Sequence, residues 1–118
     1  MSIAGIGVDI VDLARFERAV SRTPQLRDRL FAESERGLPL RSLAGRFAAK
    51  EALIKALGDS TGVRWHDMEV VNDAHGNPAF RLHGAVAEVV ARQRITVIHL
   101  SMSHDAGVAI AQVVAERS

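Results

Sequence analysis

The chain has 118 residues, 47% of them hydrophobic and 25% charged, the composition of one globular domain spanning 1–118 with a core of its own. No apolar run nears the roughly 20 residues of a membrane span, Met1-Ser2-Ile3-Ala4-Gly5 lacks the basic start of a secretory signal, and the absence of cysteine excludes disulfides, thiolate nucleophiles and cysteine-bound metals. A net charge of +1, no tyrosine and one tryptophan argue against nucleic acid as a partner and leave a cytoplasmic protein that binds no membrane as the expectation.

Taken in order, Ile3–Val11 alternates, with Ala4, Ile6, Val8 and Ile10 on one side and Gly5, Gly7 and Asp9 on the other. That predicts a strand with one apolar core face. Its second face is nearly bare backbone ending in a carboxylate, where a ligand or another stretch of backbone could approach. Asp12 is an N-cap for a helix to about Val20, and Thr23-Pro24 starts a second helix with proline at its first position. Glu33–Arg41, polar and holding Gly37 and Pro39, predicts a loop. Ser42–Leu57, rich in Ala and Leu and closed by Gly58, is the clearest helix. After a turn at Asp59–Gly62, strands at Asp67–Asn72 and Ala79–Leu82 join across His75-Gly76-Asn77-Pro78. Gly84–Arg92 is a short helix, and Ile95–Ser103 with Val108–Val114 makes a last hairpin around His104-Asp105-Ala106-Gly107. Helices interspersed with antiparallel pairs give an α+β fold, a small antiparallel sheet packed with helices.

Chemistry concentrates in few places. The only lysines, Lys50 and Lys55, share the central helix with Glu51. At about 100° per residue, Lys50 falls in the sector of Leu43, Ile54 and Leu57. The plain reading of Glu51 and Lys55 is a helical i,i+4 ion pair. The alternative is a phosphate or metal site, since embedded charges are what such a site requires. If Asp9 and Glu51 converge, their repulsion calls for a divalent cation, and Mg²⁺ takes one or two protein carboxylates with water and phosphates. His66, His75 and His83 carry no assigned role. His99 and His104 lie five apart, so on a strand they face opposite ways and cannot grip one metal; one of them could act as a base. A Ser101 or Ser103 nucleophile with His104 is disfavoured by the lack of a Gly-x-Ser-x-Gly elbow. Arg15, Arg18 and Arg22 lie on one helical face, which is either solvated or a dock for an acidic protein.

Three blocks carry a resemblance: Gly5-Ile6-Gly7-Val8-Asp9-Ile10-Val11, the run from Ala44 to Gly58 containing Gly45-Arg46-Phe47-Ala48-Ala49-Lys50-Glu51-Ala52, and Ile98-His99-Leu100-Ser101-Met102-Ser103-His104-Asp105. Together with Asp67-Met68-Glu69-Val70 and Gly76-Asn77-Pro78, they make the chain similar to the holo-[acyl-carrier-protein] synthase family, the small bacterial 4′-phosphopantetheinyl transferases. The resemblance implies that family's fold. It also implies transfer of phosphopantetheine from coenzyme A to a serine of apo-acyl carrier protein, with release of adenosine 3′,5′-bisphosphate, in support of fatty acid biosynthesis. By the same resemblance Asp9 and Glu51 match Mg²⁺ ligands, Lys55 a phosphate-contacting lysine and Arg46 a coenzyme A phosphate contact. Arg15, supported by Arg18 and Arg22, matches the arginine that docks the acidic carrier helix, and His104 a histidine near the reaction centre. A homotrimer with active sites between subunits is also implied. Met102 stands where leucine or isoleucine is commoner, and Glu33–Ser42 is short for a loop over coenzyme A. The base that takes the serine proton stays open among His104, Asp105, Glu51 and a metal-bound water. Two other readings are a non-catalytic coenzyme A or carrier-binding module, which would not need Asp9, Glu51 and Lys55 together, and another Mg²⁺-dependent phosphotransferase, which would not need the arginine ridge.

Overall fold

A computed structural model describes all 118 residues. Strand β1 (Ser2–Asp12) forms one edge of a three-stranded antiparallel sheet, with β4 (Ile95–Asp105) at the other edge and β5 (Val108–Arg117) between them. The chain leaves β1 directly into α1 (Leu13–Arg22), where Asp12 caps the first turn by accepting the Arg15 N–H at 2.9 Å. A short α2 (Gln25–Leu30) leads through an irregular segment to the long α3 (Leu40–Leu57), which ends on Gly58 in the left-handed conformation. Strands β2 (Met68–Asn72) and β3 (Pro78–Leu82) pair as a separate hairpin, followed by α4 (Gly84–Arg92). The predicted α+β layout is therefore present, with longer terminal strands and a helix that begins two residues early, after Pro39. A single 3₁₀ turn at Trp65–Asp67 has no counterpart in the sequence reading.

Helix α3 lies across the sheet so closely that side chains give way to backbone. A methyl group at Gly5 would sit 1.8 Å from the Ala56 carbonyl oxygen, and one at Gly7 1.8 Å from that of Ala52. Ala48, Ala49, Ala52 and Ala56 of the helix and Ala109, Ala111 and Ala115 of β5 are all buried in the same core. This corrects the expected orientation of β1. The apolar side chains Ile6, Val8 and Ile10 are 50–61% exposed, while the glycine side meets the helix. Bulky residues on that side would hold α3 at an ordinary helix–sheet distance, whereas glycines let its carbonyls approach the strand. A bulge between Ile3 and Gly5 breaks the alternation and turns Ala4 partly toward the core.

On its other side α3 meets the segment after α2, which the sequence marks only as a polar loop. Glu35 is 1% exposed and Lys50 0%. The Lys50 ammonium donates to Glu35 Oε1 at 2.6 Å and to the carbonyl oxygens of Leu30 and Trp65 at 2.9 and 3.4 Å. Glu35 also accepts the backbone N–H groups of Ala32 and Val70, at 2.9 and 3.2 Å. The carboxylate thus ties the segment, α3 and β2 into one junction. Burial pushes the Lys50 ammonium below its ordinary pKa, and the bond to Glu35 opposes that shift. Beside it, Glu69 accepts a short hydrogen bond from the Ser34 hydroxyl and pairs with His83 Nε2 at 3.1 Å.

Candidate active site

Three elements converge on a cleft of about 760 Å³. β1 supplies Asp9, the next side chain after Gly5 and Gly7 on the face toward α3. α3 supplies Glu51, in the turn that crosses Gly7, and Lys55 one turn later; α1 supplies Arg15. The remaining wall is apolar, and Phe47 lies between Phe16 and Trp65 with ring centroids 5.8 and 5.6 Å away. Charged groups therefore line one side of a cleft whose other side resembles a core.

The electrostatics differ from the helical pair expected for Glu51 and Lys55. Lys55 reaches across to β1, donating to Asp9 Oδ1 and to the Val8 carbonyl oxygen, both at 3.0 Å. Glu51 is left without an ion-pair partner. Burial first, and then the charge of Asp9, raise its pKa, with Lys55 pulling in the opposite direction. The two carboxylates thus feel each other even with a lysine between the elements. Hard oxygen donors that repel one another suit Mg²⁺, with other ligands coming from water or phosphate. Nowhere does the chain gather three or more His, Asp or Glu side chains close enough to hold an ion.

The structure brings Asp9, Glu51, Lys55 and Arg15 together and leaves the other candidate residues elsewhere. Arg46 does not line the cleft; its guanidinium lies over the junction, with Nε 3.7 Å from Glu35 Oε2. Lys50, singled out by its place in the apolar sector of the helix, pairs with Glu35. His104 sits on β4, two strands from β1, packed against Gly45 of α3 rather than facing Asp9 or Glu51 of the same chain. Asp105 accepts the neighbouring Ala106 N–H at 2.8 Å in the hairpin turn, outside the cleft. Arg18 and Arg22 are exposed on α1 beyond the cleft rim. His99 and His104 do face opposite ways, His99 being exposed near Glu116 at 3.6 Å. Sequence reasoning missed Glu35 and the aromatic wall. The available signal for Glu35 was Lys50 itself, because a lysine in an apolar helical sector demands an anion.

The profile of the 4′-phosphopantetheinyl transferase superfamily matches residues 5–111. A holo-[acyl-carrier-protein] synthase of Leifsonia xyli subsp. xyli is 67% identical over 115 residues, covering 98% of both chains, and one of Clavibacter sepedonicus is 67% identical over 97% of this chain and 96% of its own. Among solved structures, the holo-[acyl-carrier-protein] synthase of Neisseria meningitidis superposes with a TM-score of 0.89 at 36% identity, over 98% of this chain and all of that one. The Helicobacter pylori enzyme in complex with coenzyme A gives 0.83 at 35% identity, over 94% of this chain and 99% of that one.

Proposed function

The chain belongs to the 4′-phosphopantetheinyl transferase superfamily, as one of its holo-[acyl-carrier-protein] synthases, and from that premise we propose that its 118 residues form one cytoplasmic transferase domain in which Asp9, Glu51 and Lys55 handle the pyrophosphate of coenzyme A. The reaction moves 4′-phosphopantetheine from coenzyme A to a serine of an apo-acyl carrier protein, a step that supports fatty acid biosynthesis. The serine oxygen forms a bond to phosphorus, the phosphoanhydride bond breaks, and its electron pair leaves on adenosine 3′,5′-bisphosphate while a base takes the serine proton. Such a transfer asks mainly for positioning and for charge neutralisation. The observation that carries the assignment is the meeting of Asp9, Glu51 and Lys55 on one rim of the cleft.

Asp9 and Glu51 would hold Mg²⁺, which when bound neutralises charge on the pyrophosphate. Lys55, about half exposed where it rests on Asp9, is placed to offset charge gathering on the leaving phosphate. Arg46 would meet a phosphate of coenzyme A from its perch on Glu35. Arg15 stands at the cleft edge, with Arg18 and Arg22 continuing its exposed ridge along α1, a surface suited to an acidic carrier helix. Among the side chains, the choice of base stays open between His104, Glu51 and Asp105, whose Oδ1 also accepts the Ala106 N–H of its turn.

Assembly completes this reading. The outward face of the three-stranded sheet carries Ile6, Val8 and Ile10 beside Ile110 and Val97, all exposed, and the register aligns Ile6 with Val114 and Ile10 with Ile110. Gln112 opposite Val8 and His99 on β4 interrupt this face, so its apolar part is a patch centred on β1. An exposed apolar patch of this kind suits a subunit contact, and a homotrimer built on it would bring His104 of one subunit toward the cleft of another. Incubation with coenzyme A, Mg²⁺ and apo-carrier should add the mass of one phosphopantetheine to the carrier, and a carrier of unchanged mass would overturn the assignment. Mixing Glu51→Ala with His104→Ala subunits should restore turnover. Failure of two inactive, correctly assembled variants to complement each other would place both residues in one chain's site.

A further inference from the structure

We propose that Gly45 is a positioning residue for His104, kept as glycine so that the imidazole can lie against α3; this rests on reading His104 as part of the shared active site. Gly45 stands inside α3 with ordinary helical backbone, so no left-handed conformation calls for glycine there. Alanine would be the better helix former. What glycine supplies is room. A methyl group at this position would lie 3.0 Å from His104 Nε2, 3.3 Å from its Cε1 and 2.8 Å from the terminal methyl of Met102.

Those contacts differ in kind from the ones at Gly5 and Gly7, where a methyl group would strike backbone carbonyls. The end of Met102 can swing aside. The imidazole is a rigid ring on β4 and can yield only by moving as a whole, by a few tenths of an ångström. No hydrogen bond resists or guides that movement, because Nε2 is buried and bonds to no group of the chain. Packing against Gly45 and Met102 is therefore what sets the ring. A reacting group misplaced by 1 Å can lose about a hundredfold in rate, so a displacement of tenths of an ångström should be measurable.

The test is Gly45→Ala, made alone and with His104→Ala, in the full-length enzyme. The single variant should keep or raise the melting temperature, lower kcat by about three- to tenfold and leave both KM values within about twofold. Its His104 ring resonances should shift in NMR spectra. In the His104→Ala background the same substitution should leave the residual kcat unchanged, since its effect passes through the ring. If Gly45→Ala alone folds poorly, adding His104→Ala should recover the melting temperature of the His104→Ala variant, because the clash has gone. A double variant that stays destabilised, an equal kcat loss in both backgrounds, or unshifted ring resonances would each overturn the proposal. Loss of turnover in His104→Ala with none in Gly45→Ala would overturn it while leaving the active-site reading intact. Full turnover in His104→Ala would remove that reading and the proposal with it.

Discussion

The two sides of α3 are buried by opposite means. Toward the sheet, the helix presents alanines to glycines and alanines, and its carbonyl oxygens lie where the Cβ atoms of Gly5 and Gly7 would be. Toward the segment after α2 it presents Lys50, fully buried and answered by Glu35. The first side excludes volume and is indifferent to charge. The second holds a charge that must stay paired and leaves space around its backbone. Both are needed by the site, because the sheet side sets how near Asp9 comes to Glu51, while the junction holds the helix in place one residue away, at Lys50.

The largest effect is expected on the sheet side. Gly7→Ala would put a methyl group 1.8 Å from a backbone oxygen, and no rotamer change relieves that. β1 and α3 would have to separate, undoing the packing between them. Overpacking a core commonly costs 1–3 kcal/mol, and a clash with backbone belongs above that range, at about 4 kcal/mol, much of a small domain's stability. Urea unfolding followed by circular dichroism should show the loss. A midpoint within error of the parent would mean that α3 does not rest on the strand backbone.

The junction should break through charge instead. Lys50→Met keeps similar length and apolar character but takes the close cation from Glu35, leaving the buried carboxylate only Arg46, 3.7 Å away, as a charged partner. Removing one partner of such a pair costs about 3 kcal/mol or more. Lys50→Arg should recover little of it, since a planar guanidinium does not fit the place of an ammonium that donates to Glu35, Leu30 and Trp65 at once. Equal stability of Lys50→Met and the parent in urea would show that the pair contributes nothing net to the fold.

How much of this was legible in the sequence follows the same division. The alternation of Ile3–Val11 shows a strand, and the family resemblance of their two blocks singles out Asp9, Glu51 and Lys55, which meet at the rim of the cleft. Which side of β1 is inside was not legible, because hydrophobic periodicity assumes that large apolar side chains seek the core. Here Ile6, Val8 and Ile10 face outward and bare backbone faces in. Glu35 was illegible for another reason: its neighbours are polar, and burial comes from α3 and β2, which are distant in sequence. His104 was not legible from its own chain, since its strand carries it away from Asp9, and its place in the reaction rests on the shared site proposed above.

A smaller effect at the junction carries a pH signature. Glu69 is held below the usual carboxylate pKa, first by the Ser34 hydroxyl and then by His83. A lowered carboxylate contributes stability above its unfolded pKa, near 4.5, and that contribution is lost as pH falls through the folded value. Ser34→Ala removes the largest cause of the shift. It should cost about 1.5 kcal/mol at neutral pH, as expected for a hydrogen bond to a charged group. The difference from the parent should shrink as both are unfolded in urea at progressively more acidic pH below 4.5. A constant difference across that range would mean the hydroxyl acts through packing rather than through the Glu69 charge.

The smallest effect isolates the role of volume. Gly37 lies in the junction segment, next to residues that Glu35 and Arg36 tie down, yet a methyl group there would meet nothing within 4 Å. Its backbone does not adopt a positive φ, so alanine fits without strain. Gly37→Ala should therefore raise stability slightly, by about 0.5 kcal/mol, because the unfolded chain loses conformational freedom. The same chemical change that disrupts the sheet side would then be harmless or helpful on the junction side. A loss of several kcal/mol in the urea midpoint of Gly37→Ala would show that the segment is packed as closely as the β1–α3 seam. Glu35 would then owe its burial to close packing of this segment as well as to the charge of Lys50.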